Sequence, residues 1–105
     1  MTSFRRYEIL LPIRYNDGTR VEPEKIDLVV EELSDHFGGI TFQPDHLRGV
    51  WFHEGQRFDE ANVRIVVDVE DTAESTDFFV KYKQLLKERF RQIDLWITSH
   101  EIRIT

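Results

Sequence analysis

The spacing of apolar residues alternates along this chain between every second residue and helical intervals, and that succession constrains the fold more than any single motif. From Tyr7 to Tyr15 the pattern is that of a strand. Tyr7, Ile9, Leu11, Ile13 and Tyr15 share one face, and Glu8, Leu10, Pro12 and Arg14 share the other. Pro12 cannot donate to a ladder and is expected at a bulge or strand end. Asn16-Asp17-Gly18 ends the run with turn chemistry. Pro23 then opens a helix in which Ile26, Val29, Val30, Leu33 and Phe37 recur at helical spacing, stopped at Gly38.

Ile40 to Gln43 and Arg48 to Glu54 read as short strands, separated by Pro44-Asp45. Gly55 and the polar stretch to Asn62 are expected to form a hairpin. Val63 to Glu70 alternates most cleanly, with Val63, Ile65, Val67 and Val69 on one face. Asp71 with Glu74 predicts a capping box, Asp71 being the N-cap. The second helix then puts Phe78, Phe79, Tyr82, Leu85, Leu86 and Phe90 on one broad face. The last strand is placed from about Ile93. Its apolar parity flips between Ile97 and Ile102, which predicts a bulge near Ser99-His100.

Counting Ile40–Glu54 as one bent strand, the order is βαββαβ. That is the order of a ferredoxin-like α+β fold, an antiparallel sheet with two helices on one face. The spatial order of strands is then last, first, third, second. At 105 residues the chain falls in the size range of one domain, so residues 1–105 are read as a single unit.

In such a fold the second sheet face has no helix over it. The parities aim Leu10, Arg14, Trp51, His53, Arg64, Val66 and Trp96 toward that face, together with Glu8, Pro12, Asp68, Glu70, Asp94 and Thr98. Apolar groups near the middle with charges of both signs around them read as an interface or a binding pocket. A face-to-face homodimer is the preferred reading, because self-complementary twofold contacts are the commonest oligomer. The alternative is that loops and the C-terminal tail cover the strip.

Composition narrows the function classes. The formal charge of −6 repels phosphate backbones and argues against a nucleic-acid partner. No apolar run approaches the roughly 20 residues of a membrane span. The N-terminus lacks the apolar stretch of a signal peptide, so a cytoplasmic location is expected. There is no cysteine, which removes thiolate metal sites and cysteine nucleophiles.

None of the four histidines has the helical spacing of a zinc motif. His46 and His53 could meet a metal with Asp45 or Glu54 only through tertiary structure, and no metal or cofactor is assigned. His53 and His100 are the weak candidates for an acid/base pair on the open face. Asp17 follows the first strand, where small CRISPR-associated nucleases of this fold carry a metal-binding aspartate. Asn16-Asp17-Gly18 is read first as a turn. Arg5-Arg6 and the lysines and arginines of the second helix are read as solvated charges.

Several stretches together carry a resemblance: Tyr7-Glu8-Ile9-Leu10-Leu11-Pro12, Tyr15-Asn16-Asp17-Gly18, Phe37-Gly38-Gly39-Ile40-Thr41-Phe42, Arg48-Gly49-Val50-Trp51, Val67-Asp68-Val69-Glu70-Asp71-Thr72 and Phe90-Arg91-Gln92-Ile93-Asp94-Leu95-Trp96-Ile97. Over nearly the whole chain they resemble a family of short uncharacterised bacterial proteins. The strand–helix–Gly-rich strand–Trp strand order is also similar to a family of short exported bacterial proteins, from which this chain departs in lacking an export signal. The resemblance implies the βαββαβ fold and carries over no catalytic residue. Two functions stay open. One is a non-enzymatic module that self-associates or docks a protein partner on the open face. The other is a small-molecule binder or cofactor-free enzyme of the dimeric α+β barrel type, with His53, Trp51, Trp96, Arg14 and Arg64 lining its pocket.

Overall fold

A computed structural model describes residues 2–105, position 46 by its backbone alone. The elements follow in the order β1 (Phe4–Pro12), α1 (Pro23–Phe37), β2 (Thr41–His53), β3 (Gln56–Glu70), α2 (Ala73–Arg89) and β4 (Ile97–Ile102). The four strands form one antiparallel sheet in the order β2-β3-β1-β4. This is the ferredoxin-like arrangement and the spatial order that the periodicities imply.

The alternation does its work in β1 and β3. Register pairs Tyr7 with Val67, Ile9 with Ile65 and Leu11 with Val63, so all six point to one side. All six are buried, together with Val29 and Leu33 of α1 and Phe79, Tyr82 and Leu86 of α2. The two helices cover this side. Tyr7 stacks on Phe79 at 3.8 Å between centroids, and Phe37 stacks on Phe79 at 5.4 Å. At the end of α1, Gly38 takes φ 86° and returns its N–H to the Ser34 carbonyl. A side chain would be strained there, which is why glycine stops the helix.

Four local expectations need correction. Thr72, not Asp71, caps α2: its hydroxyl accepts from the Ser75 amide at 3.1 Å, while Asp71 pairs with Arg5. Leu85 points away from the core and is exposed. The hairpin turns at Glu54-Gly55, both with positive φ, the geometry of a tight two-residue turn. The stretch from Gln56 is therefore strand. Finally, β4 pairs regularly with β1 from Ile97 opposite Ile9 to Ile102 opposite Phe4, without a bulge. Ile102 simply faces the uncovered side beside Phe4, and Ile93 lies outside the strand and is exposed.

The irregularity sits in β2 instead. Gln43 lies opposite Arg64 and Leu47 opposite Asn62, so β2 advances further than β3 across Pro44. Proline lacks the N–H that regular pairing needs, and this edge strand bends around it. Beyond Gly49 and Glu60, among the described residues, β2 and β3 pair only with each other. They form an arm that projects past β1. The long axis of 46 Å matches the length of a 15-residue strand such as β3.

Candidate functional site

The face away from the helices divides into a charged middle and an apolar end. In the middle, β1 and β3 are laced by ion pairs. Arg6 donates twice to Asp68, at 2.8 and 3.0 Å, and Arg64 pairs with Glu8. These are diagonal and directly opposed cross-strand pairs, which strengthen the ladder without making a cavity. The Arg6 guanidinium holds the Asp68 carboxyl below its usual range, with a smaller contribution from His100. The expected apolar centre is therefore displaced: Val66 stands among these charges.

The apolar groups gather at the end where the arm leaves the sheet. There a cleft of about 320 Å³ is lined by Leu10 and Pro12 of β1, Gly49, Val50 and Trp51 of β2, Glu60 and Asn62 of β3, and Gln92, Asp94, Leu95 and Trp96 of the segment before β4. Its size falls at the lower end of small-molecule sites. Trp51 and Trp96 come from opposite edges of the sheet, across β3 and β1. Trp51 is stacked on Phe58 at 4.4 Å, which holds its ring. Trp96 is 64% exposed, and its carbonyl accepts from the Leu10 amide at 3.1 Å, which ties the segment to the sheet.

The polar lining is anchored too. Gln92 is buried and donates to the Phe90 carbonyl at 2.9 Å. Asn62 is buried and donates to the Leu47 carbonyl at 3.4 Å. Asp94 accepts from the Leu95 amide at 2.8 Å and pairs with Lys83 at 3.1 Å. Burial works to raise the Asp94 carboxyl, and these partners outweigh it, holding it below the ordinary carboxylate range. Gly49 lies opposite Glu60, and a Cβ there would meet the Asn62 amide at 3.2 Å. The missing side chain keeps this wall open.

Of the residues expected on the face, the structure brings Leu10, Trp51 and Trp96 together, with Pro12 and Asp94. It does not bring the others to them. Arg14 lies in the loop after β1, donating to the Gly18 carbonyl. Arg64 and Val66 belong to the charged middle. His53 sits near the arm tip, 3.8 Å from the Glu54 carboxylate, with its ring 6.2 Å from that of Trp51. His100 lies on β4 opposite Arg6, at the other edge of the sheet. The two histidines do not form an acid/base pair.

The metal grouping that included His46 involves a side chain outside the described residues. Among the described residues no cluster of three His, Asp or Glu could hold a metal. Asp17 accepts from the Thr19 amide and hydroxyl at 2.8 and 2.6 Å, as turn chemistry requires. Sequence reasoning missed Gly49, Glu60, Asn62 and Gln92. The signal for Glu60 and Asn62 was present: the alternation of β3, continued backward from Arg64, puts both on its face.

No family model matches this chain, and no curated protein matches it. Solved structures do. The divalent cation tolerance protein CutA1 from Thermus thermophilus superposes with a TM-score of 0.66 at 13% identity, covering 97% of this chain and 86% of that one. A phage SAM lyase in complex with S-methyl-5′-thioadenosine gives 0.65 at 16% identity, covering 97% and 90%. A phage SAM lyase in the apo state gives 0.60 at 20% identity, covering 95% and 81%. These likenesses show the shared fold. No helix of the described chain is long and apolar enough to cross a membrane.

Proposed function

We propose that this chain is a self-associating module in which a second copy packs on the projecting arm. The observation that carries this reading is the arm itself. Among the described residues no third strand pairs with it, yet it presents Phe52 at 67% and Val50 at 45% exposure on an edge strand. A two-stranded hairpin is marginal in water alone. An apolar edge with free backbone N–H and C=O groups is a ready site for another strand. A second copy supplies the same edge and the same apolar groups, and closes the contact by twofold symmetry. Sedimentation velocity tests it. The wild-type chain is expected to exceed its 12.6 kDa monomer mass, and Phe52→Asp to return to it with an unchanged circular dichroism spectrum. A wild-type chain that stays monomeric up to about 100 μM overturns the reading.

A second reading rests on a separate observation, the cleft at the base of the arm. Two indoles, two anchored amides and a volume of about 320 Å³ suit a small ligand with a flat apolar body. The phage lyase of similar fold was solved with a nucleoside thioether, a ligand of comparable shape. Native mass spectrometry of freshly purified protein tests this reading: a copurified small molecule lost in Trp96→Ala supports it. The two readings are compatible, since the arm supplies Trp51, Gly49 and Glu60 to the cleft.

A further inference from the structure

We infer that the cleft selects small organic cations with a flat apolar body, an inference that rests on the cleft being a ligand site. Among the described residues, the charged side chains that line it are Glu60 and Asp94, and no lysine, arginine or histidine side chain lines it. Asp94 is already paired with Lys83. Glu60 is different: among the described residues it makes no ion pair, although its neighbours on the arm, Arg48 and Arg57, are both engaged by Asp59. It is half-buried, and its partner across the ladder is Gly49, so no side chain opposite shields it. A carboxylate left without a partner beside an apolar wall favours a cation and disfavours an anion.

The remaining lining points the same way. Each buried amide donates to a backbone carbonyl, Gln92 to Phe90 and Asn62 to Leu47. Among the described residues neither amide oxygen accepts a bond from the chain, and neither is a buried orphan, so both remain acceptors for a ligand N–H. Indole faces attract cations through their negative π-faces, and two indoles reach this cleft. The chain's net charge of −6 adds a long-range field of the same sign preference.

The test uses three probes with one ring system and different charge: tryptamine, tryptophol and indole-3-acetate, titrated into the full chain by calorimetry. Tryptamine is expected to bind about tenfold or more tightly than tryptophol, with indole-3-acetate weakest. Glu60→Gln is expected to remove most of tryptamine's advantage while tryptophol is unchanged. Trp96→Ala is expected to weaken all three. Tryptophol binding as well as tryptamine, with both weakened by Trp96→Ala, overturns the charge selectivity and leaves the ligand site standing. No binding of any probe, or binding indifferent to both substitutions, overturns the selectivity and the ligand-site reading together.

Discussion

β3 is one continuous strand that lives in two environments. From Val63 to Val69 every second residue is buried against the helices, with β1 paired along the whole stretch and β2 paired as far as Val66. From Gln56 to Glu60 it pairs, among the described residues, with β2 alone and has no buried residue. The arm keeps the ladder to β2 and lacks the ladder to β1, so it has fewer backbone partners. It also withdraws less apolar area from water. The covered half buries its apolar side chains within one chain, and the arm leaves Phe52 and Val50 exposed. A strand's stability is set here by what lies over it.

The sharpest way to break this contrast is to delete an aromatic ring from each half. Phe79→Ala removes the ring on which Tyr7 and Phe37 stack, and is expected to cost about 3–5 kcal/mol in urea unfolding. Phe52→Ala in the arm, measured on dilute protein, should cost no more than about 0.5 kcal/mol. Equal costs would show that the arm belongs to the same cooperative core.

A smaller effect separates the helices from the sheet. Arg89 donates twice to Glu32, and Tyr82 donates to the same carboxylate at 3.1 Å, joining α2 to α1. The Arg89 hydrogen bonds hold the Glu32 carboxyl below its ordinary range, while burial raises the Tyr82 hydroxyl. A depressed carboxyl contributes stability that is present above its unfolded pKa. That stability is lost as pH falls through the folded one. Unfolding free energy should therefore decline as pH drops below about 4.5. Glu32→Gln should lower stability at pH 7 by about 2 kcal/mol and flatten that decline. An unchanged acid slope would remove the helix–helix pair from the account.

The smallest effect is local. Trp51→Ala removes the stack on Phe58 and is expected to cost about 1 kcal/mol within the arm. Amide exchange should quicken between Gly49 and Glu60 while Val63 to Val69 keep their protection. Faster exchange throughout β3 would erase the boundary between its halves.

Much of this architecture was legible because Tyr7, Ile9 and Leu11 and Val63, Ile65 and Val67 can be buried together in only one register. Pro23 and Gly38 marked α1 at both ends for equally local reasons. The uncovered face was legible as a set of residues and not as a site. Leu10, Trp51 and Trp96 share a parity with Arg64 and Val66, yet only the first three meet. Parity states which side a residue faces. It does not state that Arg64 will be captured by Glu8, or that Trp96 will be carried to the sheet end by its bond to Leu10. The flip at Ile102 misled for the same reason: Phe4, its neighbour across β1, is remote in sequence.

By itself the sequence determined the elements, their order and the buried face of each long strand, because periodicity, turn residues and caps act over a few neighbouring positions. Tertiary structure decided where β2 bends, how far the arm projects, and that Gly49, Glu60, Asn62, Gln92 and Trp96 enclose one cleft. Those outcomes depend on contacts between residues tens of positions apart, and the energy of such contacts exists only once the strands are side by side.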